Sequence, residues 1–208
     1  GYQHNDSFPG SHPLAVGPLG YNGSKAAMEL ISKADVVLAL GTRLNPFSTL
    51  PGYGIDYWPK KATIIQVDMN PDRIGLTKKV SVGICGDAKQ VAQQILDKLS
   101  SDAGNTGREE RKNLIHKTKS AWLQTLSGLD HEEDDPGTVW NKEARERDKD
   151  RMSPRQAWRA IQDALPQDAI ISSDIGNNCA IGNAYPTFEK PRKYLAPGLF
   201  GPCGYGFP

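Results

Sequence analysis

The run Val36–Leu40, VVLAL, holds five apolar residues without a polar interruption and closes on Gly41. A strand with one face in water alternates apolar and polar side chains. An unbroken run rich in β-branched and aliphatic residues therefore predicts a strand buried on both faces, as in a parallel sheet. Helical spacing precedes it: Ala26, Ala27, Leu30, Ile31 and Ala34 share one face, with Asn22 or Ser24 available as N-cap. Two further strands are predicted at TIIQVD (63–68) and SVGICGD (81–87), each ending in an aspartate. A helix from about Ala88 to Leu99 follows, capped by Asp87, with Val91, Ile95, Leu96 and Leu99 as its buried stripe. Strands alternating with helices predict an α/β, doubly wound parallel sheet over residues 1–100.

Residues 101–152 change character. Charge is dense there, with HEEDDPG (131–137) at the centre, and the segment reads as a charged, partly helical linker. Leu114, Ala121, Trp122 and Leu126 keep helical spacing, which predicts a surface helix followed by a mobile stretch. Order resumes at Ser153, which forms a capping-box pattern with Gln156 around Pro154 at the first helical position. Ala157, Trp158, Ile161 and Leu165 supply that helix's apolar face, AIIS (169–172) a strand, and SDIGNN (173–178) the turn after it. The methionines and tryptophans read as core or helix-face packing. Residues 153–208 are thus the beginning of a second α/β domain, and with no initiator Met at the other end the expectation is a fragment.

Charge and cysteines narrow the partners. A net charge of +1 offers no field to attract nucleic acid or an anionic membrane, and no apolar run approaches the length of a membrane span. With 38% apolar residues available for a core, small molecules and other subunits are the expected partners. Cys85, Cys179 and Cys203 lie far apart with no CxxC, which suggests neither a zinc site nor a disulfide framework and points to a reduced cytoplasmic setting. The first residues have no signal-peptide pattern.

Open α/β sheets bind ligands beyond the carboxyl ends of their strands, where GTRLNPF, DMNPDRIG and SDIGNN fall. Neither GxGxxG nor GxxxxGK[ST] occurs. Arg43 could pair with a phosphate and Asp68 hold a ribose hydroxyl, or Arg43 is an ion-pair or capping residue and Asp68 a turn residue before NPD. Gly17, Gly20 and Gly23 either admit a ligand or shape a loop. His4, His12, His116 and His131 have no paired acid or nucleophile in sequence and read as structural or exposed. In SDIGNN an aspartate and a glycine precede two asparagines, a set of N–H and amide groups suited to a diphosphate, or alternatively an Asx-type turn. GLFGPCGYGFP (198–208) combines glycines with aromatics on a backbone that must turn sharply or approach something closely, and reads as half of a cofactor site.

Taken together, HNDSFPGSHPLAVGPLGYNG, ADVVLALGTR, QVDMNPDRIG, SDIGNN and FGPCGYGFP resemble thiamine-diphosphate-dependent enzymes of the acetohydroxyacid synthase type over nearly the whole chain. The resemblance implies a Rossmann-like central domain followed by the start of a thiamine-diphosphate-binding domain. HNDSFP with a cysteine in FGPCGYGFP is similar, more narrowly, to the branch that converts sulfoacetaldehyde and phosphate to acetyl phosphate and sulfite in sulfonate (taurine) breakdown. By resemblance, Gly201 offers its carbonyl to the aminopyrimidine, and Cys203 props the cofactor's bent shape while its N–H meets the ring. Gly204 belongs to the same loop, and Gly176, Asn177 and Asn178 lie near the diphosphate. The chemistry implied is carbanion catalysis with the cofactor as electron sink. The resemblance further implies Mg2+, an active site between subunits of a homo-oligomer, and no FAD. It places the metal-binding motif and the activating glutamate outside this chain, leaving no catalytic or metal residue within it and an inactive piece. The alternatives are an acetolactate-forming enzyme acting on pyruvate and a non-catalytic nucleotide-binding module.

Overall fold

The computed structural model describes residues 1–20, 23–99, 106–130, 150–197 and 201–207. Helix α1 (Lys25–Ile31) starts at Ser24, whose Oγ accepts the Ala27 N–H at 3.3 Å, so Ser24 is the cap; Asn22 lies outside the described residues. Strands β1 (Val36–Leu40), β2 (Thr63–Asp68) and β3 (Val82–Cys85) pair in parallel in that order, with Val36 opposite Thr63 and Ile65 opposite Val82. The crossovers between them are irregular chain with 3-10 turns at Pro46–Ser48 and Pro71–Arg73. Each turn begins Asn-Pro, the asparagine side chain accepting an N–H two residues on. Helix α2 (Ala88–Lys98) is capped by Asp87, which accepts the Gln90 N–H at 2.9 Å.

Beyond the sheet come α3 (Arg108–Asp130) and α4 (Pro154–Ala164), the latter opened by the predicted capping box: Ser153 Oγ accepts the Gln156 N–H at 3.0 Å and Gln156 Oε1 accepts the Ser153 N–H at 2.8 Å. Strand β4 (Ile171–Ser172), helix α5 (Asn177–Gly182) and strand β5 (Tyr194–Leu195) follow, with β4 and β5 parallel. The expected mobile stretch after α3, HEEDDPG included, lies outside the described residues.

Two apolar clusters hold this arrangement. One lies on the sheet, where Ala39, Leu44 and Ile64 meet Val37, Trp58, Ala62 and Val80. The other joins α1 to the later elements: Ala26, Trp122 and Leu126 of α3, Trp158 of α4 and Tyr185 pack together. An aromatic of this size buries on the order of 200 Å², about 5 kcal/mol of transfer free energy before the entropy of ordering it. The helix expected on the surface thus inserts one face between α1 and α4, while Leu114, His116 and Leu123 stay exposed.

Several burial expectations are corrected. β1 is covered on one face only. Ala39 is buried and Val37 half-buried, but Val36, Leu38 and Leu40 are 57%, 43% and 40% exposed, because β1 is an edge strand and no described element packs over that side. No residue of α2 is buried, and Leu96 and Leu99 are 63% and 55% exposed; the helix meets the sheet mainly at β2, and three strands are too narrow to cover its stripe. In α4 only Trp158 is buried, while Ile161 and Leu165 are exposed. Met28 is fully buried as expected, but Met69 and Met152 are exposed.

The first residues pack away from the sheet. Asp6 is buried, and its Oδ2 accepts the N–H groups of Lys193 and Tyr194 at 2.8 and 3.2 Å. Gly10 donates to the Phe188 carbonyl at 2.8 Å, and Ser11 donates through its N–H and hydroxyl to the Glu189 carboxylate. His4 is exposed, and His12 accepts the Leu14 N–H at 3.1 Å within its own turn.

Candidate functional site

At the carboxyl ends of β1 and β2 the side chain at the centre is Gln66, 1% exposed. Its Nε2 donates to the carbonyls of Thr42 and Arg73, at 3.0 and 3.2 Å, and its Oε1 accepts the Gly75 N–H at 2.9 Å. One amide therefore ties the loop after β1 to both sides of the loop after β2. Asp68 accepts the Asn70 N–H at 2.9 Å, which is the turn reading of this residue. Arg43 is half-buried, and among the described residues no carboxylate pairs with it. The early glycines shape a loop: a Cβ on Gly20 would meet the Phe47 carbonyl at 2.5 Å, one on Gly17 the Ser24 side chain, and one on Gly23 the Pro18 carbonyl. Close approach to the chain's own backbone accounts for Gly20 and Gly23, and close approach to the Ser24 side chain for Gly17.

The other end of the molecule brings two predicted stretches together. Ser173 continues β4 by donating its N–H to the Leu195 carbonyl at 2.9 Å. The chain then turns: Asp174 Oδ1 accepts the Ile175 N–H at 3.0 Å, and Gly176 takes φ +108°, ψ −159°, a conformation that only glycine adopts without strain. Helix α5 starts directly after it, so Gly176, Asn177 and Asn178 lie at one helix end. The Asn178 carbonyl accepts Trp158 Nε1–H at 2.9 Å, and Gly182 presses on the Trp158 ring, which fixes α5 to α4.

The glycine loop 201–207 lies against this turn. Asp174 Oδ2 accepts the Gly204 N–H at 2.8 Å, and a Cβ on Gly206 would stand 2.8 Å from Asp174 N and 3.2 Å from Ser173 C. A Cβ on Gly201 would reach Ile175 at 3.7 Å. The Gly204 N–H first, then those of Ile175, Tyr205 and Gly206, hold the Asp174 carboxyl below its usual 3.8 against a raising effect of desolvation. Gly204, placed among the cofactor residues by sequence, thus spends its N–H on Asp174. Gly201, Cys203, Tyr205 and Phe207 are exposed, and among the described residues nothing bonds the Gly201 carbonyl or the Cys203 N–H. Cys179, unlike Cys203, is buried: burial pushes its thiol up, while hydrogen bonding with Ser173 and Tyr194 lowers it.

These residues fit a flat heterocycle with a diphosphate tail. The loop is glycine-rich, has the Gly201 carbonyl and the Cys203 N–H among its unbonded backbone groups, and is pinned beside a helix end carrying the Asn178 amide. Asp174 is the residue that sequence reading did not assign. Its only signal was an aspartate at a strand end, since its partner Gly204 lies 30 positions away. No three His, Cys, Asp or Glu side chains converge as a metal site among the described residues. No helix there is long and apolar enough to cross a membrane.

Residues 1–95 match the family model described as "Thiamine pyrophosphate enzyme, central domain". Over its whole length the chain is 81% identical to a probable sulfoacetaldehyde acetyltransferase of Rhizobium meliloti (strain 1021) and 78% identical to a sulfoacetaldehyde acetyltransferase of Roseovarius nubinhibens. It spans 35% and 34% of those two proteins, about a third of their length. The large subunit of acetolactate synthase isozyme 3 of Escherichia coli is 26% identical over 97% of the chain, which covers 32% of it.

Proposed function

We propose, from the match of residues 1–95 to the central domain of thiamine pyrophosphate enzymes, that the chain is part of a sulfoacetaldehyde acetyltransferase, which converts sulfoacetaldehyde and phosphate to acetyl phosphate and sulfite. The observation that carries this reading is the 81% identity, over the whole of this chain, to a probable sulfoacetaldehyde acetyltransferase. Acetolactate formation from pyruvate is the second reading, supported by the 26% relative. A nucleotide-binding module has lost its best residue, because Asp68 is committed to a turn.

When bound, thiamine diphosphate supplies a stabilised carbanion and an electron sink. The chain's own part is to hold it. Gly201 contributes a carbonyl acceptor and Cys203 an N–H donor and a compact apolar side chain; Gly204 shapes the loop between them and Asp174. Gly176, Asn177 and Asn178 receive the diphosphate, with Mg2+ bound through residues elsewhere in the enzyme. We place the domain limits at 1–100, 101–152 and 153–208, and the working enzyme in the cytoplasm as a homo-oligomer without FAD. Its role is sulfonate breakdown.

Titration of the complete enzyme with thiamine diphosphate and Mg2+ tests the site. Cys203→Asp puts a carboxylate where a small apolar group is needed, and loss of detectable binding is expected. Undiminished affinity would remove the loop from the site.

A further inference from the structure

We propose that Asp174 is a positioning residue for the cofactor loop: its carboxylate accepts the Gly204 N–H and so fixes the loop that presents the Gly201 carbonyl and the Cys203 N–H to a ligand. This rests on the thiamine diphosphate reading of the site.

Three observations converge on it. Gly204 N lies 2.8 Å from Asp174 Oδ2, while the other carboxylate oxygen is occupied by the Ile175 N–H at 3.0 Å, so the side chain is braced at its own turn while it holds the loop. The Asp174 backbone is engaged too: Asn178 Nδ2 donates to its carbonyl at 3.4 Å, linking the same residue to the start of α5. Gly206 approaches the Ser173–Asp174 backbone so closely that no side chain fits between them. The aspartate therefore sits at the junction of the two stretches assigned to the two ends of the cofactor, the loop for the ring and the helix end for the diphosphate. A carboxylate that accepts a loop N–H fixes that peptide plane, and a loop fixed before binding does not lose its freedom when the ligand arrives. Among the described residues, the loop has no other side-chain partner that spans this junction.

The test compares wild type, Asp174→Asn and Asp174→Glu in the complete enzyme. Asparagine keeps the shape and one acceptor oxygen but loses the charge and half of the accepting capacity; glutamate keeps the charge on a longer arm. Amide hydrogen exchange of the peptide containing residues 203–206 is measured without cofactor, and the Kd of thiamine diphosphate with Mg2+ by titration. For Asp174→Asn we expect exchange of that peptide at least several-fold faster, a Kd raised on the order of tenfold, and peptides from α1 and β2 unchanged; glutamate restores part of both. Unchanged exchange at 203–206 with unchanged Kd would overturn the proposal, as would equal acceleration in every peptide, which is the mark of general destabilisation. If wild type binds no thiamine diphosphate, the cofactor reading fails with the part of the proposal that rests on it, and the exchange data alone decide whether Asp174 orders the loop.

Discussion

Gly206 shows how closely the loop and the turn are fitted. A methyl group there would meet backbone atoms of Asp174 and Ser173 at 2.8 and 3.2 Å, and backbone has no flexible end to move aside. Gly206→Ala is therefore expected to displace the loop and weaken thiamine diphosphate by about tenfold in titration, with no change in charge; equal affinity would contradict the close packing. Tyr57 makes a different prediction. Fully buried, with its hydroxyl donating to the Ser48 carbonyl at 3.2 Å, it has its phenol pushed up from 10.0 to about 12 by burial. The raised value means that stability is complete below pH 10 and falls as pH rises to about 12, because the unfolded chain gives up the proton first. Unfolding followed across that window should show the loss in wild type and a shallower slope in Tyr57→Phe. At this scale the caps were legible: Ser24, Asp87 and Ser153 each work on a group three positions away. Asp174 and Gln66 were not, since their partners are set by how loops from distant parts of the chain meet.

Elements were easier to find in the sequence than to place. VVLAL, TIIQVD and VGIC are the strands of the three-stranded sheet, because runs of β-branched and aliphatic residues report a sheet directly. Which face is covered depends on what packs there, and on β1 and α2 apolar residues stand exposed that periodicity assigns to a core. Helix α3 went the other way: its charge suggested a linker, yet Trp122 and Leu126 on one side bind α1 to α4. For α4 the capping box carries a quantitative expectation. Ser153→Ala removes the acceptor of the Gln156 N–H at a buried cap and should cost about 1 kcal/mol of stability, measured by denaturant unfolding. A change within error would mean that Pro154 alone sets the helix start.

The whole molecule couples the two halves that the sequence separates. A single apolar cluster takes Ala26 from the first and Trp158 and Tyr185 from the second, and Asp6 caps the backbone of β5 near the turn that carries the site. Its fold class was legible in apolar patterns; the cofactor role proposed for its glycine loop and its substrate rest on resemblance, since no described side chain has been tied to a sulfonate. The measurement that decides the account is a product assay on the complete enzyme, supplied with thiamine diphosphate, Mg2+ and phosphate. Sulfite and acetyl phosphate should appear together from sulfoacetaldehyde, with little acetolactate from pyruvate. Acetolactate without sulfite would contradict the proposed activity and move the chain to the pyruvate-using branch of the same family.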